Sequence, residues 1–376
     1  MEIRIYEYIN GEFVPRLNTY DAVNPRYKIH AYEPSEFSFD YSLDERGASE
    51  FQMKRFVLME NFIGVIKNIK RYKNTGGSMM TVSGVDIKGL LFGRTVIPHT
   101  FSGIIGTMGY DVAVGWTDAC IKHFWRNNIG VNAETARRYN FITIGENKNI
   151  GKSGDKYQTR FTKLSDVTAE FAKGADLVIT TTPQIESGKI ILDVAEPVYR
   201  TAGQDIVSPV ILSPENLTVL HMEHTQESTG YRNAFYATRS GSQFADEALT
   251  MLYMRDGETE PSGLDRVEEH INVSVNTPIA GDEYNEMRRQ AVHDMQNYGE
   301  VNTLNATVNF TRLKLNRDYH VGDFVTVQNN DFGIEADIQI TAVEVSENGN
   351  GRTETVTLGT DKKGYIRQIL TEIKNI

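Results

Sequence analysis

The chain has 376 residues, a formal charge of −11 from 39 Lys plus Arg against 50 Asp plus Glu, and a single cysteine, Cys120. That length can hold more than one core, the acidity argues against a general basic surface for nucleic acid, and one cysteine excludes a disulfide framework within the chain. The opening "MEIRIYEYINGEF" alternates without a basic flank and apolar run, so no signal peptide is read, and no stretch approaches a membrane span. The expectation is a soluble, multidomain protein made in a cytoplasm.

In chain order, "EIRIYEYI", "FSFDYSL" and "MKRFVLME" alternate with period two, and "NFIGVIKNIKRYKNTGGSMMTVSG" reads as two strands around an Asn-Thr-Gly-Gly turn, which predicts an antiparallel meander. A short helix follows in "SGVDIKGLLFGR", with Ser83 as cap, Asp86 at the capping-box position, Ile87, Leu90 and Leu91 inward, and Gly93 as stop. "GWTDACIKHFWRNN" predicts a second helix on a stripe of Trp116, Ala119, Cys120, His123 and Phe124. "KLSDVTAEFAKGA" predicts a third on Leu164, Val167 and Phe171, ending at Gly174. "DLVITTTPQIESGKIILDVAEP" is a hairpin around Glu-Ser-Gly, and the chain is again strand-like from about residue 205 through "RSGS". "DEYNEMRRQAVHDMQNYGE" carries Tyr284, Met287, Ala291, Met295 and Tyr298 on one helical face. "TLNATVNFTRL" alternates buried Leu304, Ala306, Val308 and Phe310 with amides and hydroxyls. One β-rich block opens the chain and another closes it.

Three stretches invite a chemical reading. "FITIGENKNIGKS" has glycine, lysine and serine after a strand, but five residues separate Gly145 from Gly151 where a phosphate loop needs four, and no helix start follows, so an exposed loop is expected. His221, Glu223 and His224 could offer a zinc ion two imidazoles and a carboxylate, yet histidines three apart on a strand point to opposite faces. His293 and Asp294 fit a solvated helix face, Cys120 a small buried hydrophobe, and the Asn-x-Ser/Thr triplets at Asn216, Asn272, Asn305 and Asn309 polar strand faces. In "RDYHVGDFVTVQNNDFG", Asp318, His320, Asp323 and Asp331, with Asp337 beyond, could be ligands or an acid/base pair. Their spacing follows the turns instead: Gly322-Asp323 and Asp331-Phe332-Gly333 fall where the backbone reverses between strands. No catalytic, cofactor or metal site is expected, and Gly322, Asp323, Asp331 and Gly333 are expected to build turns.

"DYHVGDFVTV" and "IQITAVEV" resemble the closing barrel of the tail-hub family of long-tailed phages of Gram-positive hosts, the baseplate hub or tail-associated lysin. The likeness continues upstream in family order through "FIGVIKNIKRYKNTGGSMMTVSGVDIKGLLFGR", "KLSDVTAEFAKGADLVITTTPQIESGKIILDVAEP", "YRNAFYATRSGS" and "PSGLDRVEEHINV". The contractile-phage hub is a more distant likeness. The resemblance implies an α+β, mainly β fold with two tail-tube-like antiparallel β-barrels: 1–100, then a mixed α/β domain 101–207, then a discontinuous barrel of 208–240 plus 301–362. A helical segment 241–300 would be inserted there, with 231–238 paired to the C-terminal strands, and 363–376 would be a tail.

In function it implies a homotrimeric, pseudo-hexameric hub of the virion tail, between a distal tail protein or tube above and a fibre, spike or receptor-binding protein below. The tape measure protein would be a further partner, and DNA would cross the lumen without specific binding. An acidic ring suits such a channel. Longer relatives continue into a cell-wall hydrolase, for which this chain is expected to have no room. The alternatives are a cell-wall hydrolase or carbohydrate-binding module, and the hub of a phage-tail-like particle or secretion spike.

Overall fold

A computed structural model describes residues 1–75, 77–98, 109–239, 250–254, 260–273, 295 and 298–360. The fold is mainly β within the α+β class, as expected. No helix among the described residues is long and apolar enough to cross a membrane. The chain divides into two compact units, one formed by Met1–Glu223 with Leu304–Gly359, the other by His224–Thr303.

The first unit opens with β1 (Ile3–Ile9), β2 (Glu12–Thr19), β3 (Val23–His30), β4 (Glu36–Ser42), β5 (Phe56–Met59), β6 (Phe62–Asn74) and β7 (Gly77–Asp86), paired antiparallel throughout. Period two decides what is buried: β4 sends Phe37, Phe39 and Tyr41 into the core while Glu36, Ser38, Asp40 and Ser42 face the other way. β2 ends the sheet and carries Pro15, which an edge strand tolerates because its missing N–H breaks no second ladder.

Next come α1 (Ile87–Leu90), β8 (Asp111–Gly115), α2 (Thr117–Asn128), β9 (Ile142–Ile144), β10 (Asp155–Thr159), α3 (Leu164–Gly174), β11 (Val178–Gln184) and β12 (Lys189–Ala195). Helices α2 and α3 share a core with β11 and β12 around Phe124, Trp125, Leu164, Val167 and Leu192, with the Trp125 indole donating to Thr168 Oγ1 at 2.9 Å. The short strands β13 (Tyr199–Arg200) and β14 (Ile211–Leu212) lead to β15 (Val219–Glu227). The other unit holds β16 (Ala234–Arg239), β17 (Thr250–Met254) and β18 (Glu268–Val273), a separate sheet ordered β17-β16-β18. Then come β19 (Val301–Val308), β20 (Phe324–Asn329), β21 (Ile334–Asn348) and β22 (Gly351–Thr360).

The large sheet contains one five-strand arrangement twice. Its order runs β3-β4-β7-β6-β5 in the first block and β15-β19-β22-β21-β20 in the second. Each block has a long hairpin with a β-bulge, between Ile66 and Asn68 in β6 and between Ile340 and Ala342 in β21. From the bulge to the turn the two hairpins correspond residue for residue, closing on Asn74↔Gly77 and Asn348↔Gly351. The strand before each hairpin, β5 or β20, is entered through a positive-φ residue, Lys54 (φ 71) or Gly322 (φ 98), whose N–H bonds Ile66 O at 3.1 Å or Ile340 O at 2.8 Å. The blocks join where β21 pairs with β3, from Ala342↔His30 to Ser346↔Arg26, over a common core that includes Tyr27, Phe62, Val343 and Val345.

Several expectations change. Ser83 lies inside β7, and the cap of α1 is Asp86, which accepts from Gly89 N at 3.0 Å and Ser35 N at 3.1 Å; pairing with β4 and β6 carries the strand three residues further than the cap pattern implied. In α2 the buried stripe is Cys120, Ile121, Phe124 and Trp125, whereas Trp116, at the cap, is 39% exposed. β19 ends at Val308, because Asn309 turns the chain by accepting from Thr311, and Phe310 is 37% exposed. The expected segment 208–240 is too long: 234–239 pairs with β17 and β18, the Asn233 side chain bonding Val267 N and Asp265 O, and the strand beside β19 is β15. The helix expected at 284–298, apart from Met295 and Tyr298, and the tail 363–376 lie outside the described residues.

Candidate functional site

Asp323 is nearly buried, at 3% exposure, at the entry to β20. One carboxylate oxygen accepts from His320 N (2.9 Å) and Arg200 Nε (2.8 Å), the other from Val198 N (3.3 Å), and His320 Nδ1 lies 3.5 Å away. Burial pushes this carboxyl up, but the hydrogen bonds from His320 and Arg200 outweigh it and hold it below the usual carboxylate range. The group therefore closes its own turn and ties β20 to the segment at β13. Gly322 beside it has φ +98, a conformation that favours glycine, and a Cβ there would come within 2.2 Å of Val178 Cγ2, so the neighbour leaves no room for a side chain.

The second turn places Asp331 exposed at its tip and Gly333 at φ +65, and its side-chain acceptor is Asn329 Oδ1, which takes Phe332 N at 3.0 Å. The other acids go separate ways. Asp318 accepts from Lys314 N (2.7 Å) and pairs with Arg317, while Asp337 accepts from Thr326 Oγ1 (2.6 Å). Among the described residues no three His, Cys, Asp or Glu side chains converge as a metal site would require.

The glycine-lysine loop at 145–152 wraps the start of α2. Fully buried Lys122 lies 2.8 Å from Asp193 and 3.3 Å from Asp118, and donates to Glu146 O. Asp118 accepts the N–H groups of Lys148 (2.7 Å) and Ile150 (3.1 Å). A Cβ on Gly145 would meet Asp193 Oδ1 at 2.4 Å, and one on Gly151 would meet Thr117 Cβ at 2.9 Å. The glycines thus serve close packing, and the backbone N–H groups that a phosphate would need point at Asp118.

His221 and Glu223 line an open groove of about 290 Å³ with Lys28, Asn305, Thr307, Glu344, Thr355 and Thr357, the polar face of the strands around the block joint. His224 instead meets Asn302 Oδ1 at 2.8 Å. Two features were not legible in the sequence. His123 Nε2 sits 2.8 Å from buried Asp111 Oδ1 and 3.0 Å from Asn127 Nδ2, a pairing that only the fold creates. Arg352 bridges Glu60 and Glu354, which in turn accept from Tyr27 OH (2.8 Å) and Tyr319 OH (2.9 Å); burial comes first among the causes that push both phenols up. That network fastens the two β-blocks to each other.

The fold is shared with solved phage tail proteins. A tail protein from Neisseria meningitidis aligns with TM-score 0.52 and 14% identity over 96% of this chain and 97% of that one. The 43 kDa tail protein of prophage MuSo2 from Shewanella oneidensis aligns with TM-score 0.52 and 12% identity over 96% and 98%. Prophage tail protein gp18 from Listeria monocytogenes gives TM-score 0.49 and 11% identity over 100% of both chains. A search of curated protein sequences returned no match. The likeness to these phage tail proteins is one of fold. The chain belongs to the siphovirus ReqiPepy6 Gp37-like protein family, whose family model matches residues 3–360.

Proposed function

We propose that this tail protein is a structural hub: a homotrimeric ring that joins the tail tube to the tail tip and leaves a lumen for DNA. The observation that carries the reading is the repeated five-strand arrangement. A chain with two near-equivalent blocks converts a threefold assembly into six near-equivalent positions, which matches a sixfold tube on one side and a threefold tip on the other. In this reading the two blocks are the tail-tube-like barrels, the segment between them is the mixed domain, and the sheet β16–β18 belongs to the insertion within the second block. A distal tail protein or tube lies above and a fibre, spike or receptor-binding protein below, with the tape measure protein as a further partner. The residues at the 317–333 turns support folding and assembly; none is assigned a reaction. Mass measurement of the purified full chain tests the reading: a trimer that releases no soluble muropeptides from cell walls agrees with it, and a monomer that cuts them overturns it.

A further inference from the structure

Resting on the hub reading, we infer that the joint between subunits is a strand pairing of β6 on one copy with β15 on the next, a counterpart of the pairing of β21 with β3 inside each chain. The template is geometric. One edge of β21 pairs with β20 up to Gln339, and past the bulge the same edge pairs with β3 from residue 342 to 346, while its other edge holds β22. β6 is its counterpart in the first block: one edge pairs with β5 up to Val65, the other holds β7, and past the bulge residues 68–74 continue with no further partner strand among the described residues. The counterpart of β3 in the second block is β15, which pairs with β19 and, among the described residues, ends the sheet. An exposed strand edge is a template for another chain, and here a matching pair of edges stands at opposite ends of the duplicated unit. Joining them copy to copy is heterologous, and it closes after three copies when the internal joint and the joint between copies each turn by a sixth of a revolution.

Charge makes the two joints distinguishable. Inside the chain the β21 side is acidic and the β3 side basic, with Glu344 opposite Lys28 and Arg26 at the end of the ladder. At the free edges the signs are exchanged. β6 exposes Lys67, Lys70, Arg71 and Lys73, a basic run in an acidic chain, whereas β15 carries Glu223 exposed on its polar face. Lys70 occupies the place of Glu344, since the hairpins correspond residue for residue past the bulge. Glu223 shares the polar groove with Glu344 and Lys28. A cation on β6 facing an acid on β15 is thus the internal pair with its charges reversed, an arrangement that rejects pairing of β6 with a second β6 or with β3, and of β15 with β21. Tyr72, 37% exposed on β6, and Leu220, 67% exposed on β15, supply apolar area at the same edges.

The test uses the full chain. Native mass spectrometry and hydrogen exchange should show a trimer in which residues 68–73 and 220–226 are protected and in which dilution to monomer releases both segments together. Lys70→Glu should raise the trimer dissociation constant at least tenfold without altering the circular dichroism of the monomer, Glu223→Lys should do the same, and the two together should restore it. A trimer in which both segments exchange freely, or in which Lys70→Glu changes nothing, overturns the β6–β15 joint while leaving the hub reading intact. A wild-type chain that forms no trimer overturns the hub reading and the joint with it.

Discussion

The two β-blocks build the same turn from opposite charges. In the first, Lys54 and Arg55 enter β5, and Arg55 is held by Glu50 (2.6 Å) and Glu7 (3.2 Å). In the second, Gly322 and Asp323 enter β20, and Asp323 is held by Arg200 at 2.8 Å. Backbone bonds to Ile66 and Ile340 are the same. The comparison teaches that neither the aspartate nor the glycine is required by the turn itself. Each is required by what packs against it, which is Arg200 in one case and Val178 in the other.

That contrast can be broken by mutation. Gly322→Ala should cost about 2–4 kcal/mol in urea unfolding, from a positive φ combined with a clash against Val178. Lys54→Ala, at the same place in the first block, should stay within about 0.5 kcal/mol, because lysine already tolerates that backbone. Equal costs would mean that the turn, not its surroundings, dictates the glycine. Next, Asp323→Ala should cost about 1–3 kcal/mol by leaving the largely buried Arg200 guanidinium and His320 N without their acceptor. Asp323→Asn should recover part of that loss, and loss of a bound metal from the alanine variant would restore the ligand reading.

A further effect comes from acid. His30 lies in the β3–β21 joint, and burial, with Lys28 and Lys88 nearby, lowers its pKa from 6.5 to about 3. The unfolded chain therefore takes up a proton that the folded one refuses, so stability falls as pH drops below 6.5, by at most about 1.4 kcal/mol per pH unit from this group. Unfolding midpoints followed from pH 7 to 4 should show a shallower decline in His30→Gln, and parallel curves would remove His30 from the account. Smallest of all, Lys54→Gly should stabilise by about 0.5 kcal/mol, read as a small rise in the urea midpoint, since it relieves a left-handed lysine.

Much of the framework was legible. Alternation located β1, β4, β6 and β7, and the helical stripes located α2 and α3, because burial on one face writes a period into the residues. Of the acids of 317–333, Asp323 accepts from His320 N within its own turn, whereas the second turn takes its side-chain bond from Asn329 and not from Asp331. What stayed hidden depends on distance along the chain. Nothing near Asp323 announces Arg200, nothing near His123 announces Asp111, and Gly145 looks like a phosphate glycine until Asp193 is seen beside it. The repeat was visible only as two β-rich ends, because Lys54-Arg55 and Gly322-Asp323 share a backbone and no side-chain chemistry. The reach of 208–240 misled for a related reason: β15 and β16 alternate alike, and only their partners differ.

Electron microscopy of the intact tail tests the central claim most directly. Three copies of this chain are expected at the junction of tube and tip, with β3–β7 and β15–β22 of each copy alternating around the axis at six near-equivalent positions. A position elsewhere in the particle, or a copy number that leaves the two blocks without that alternation, would contradict it.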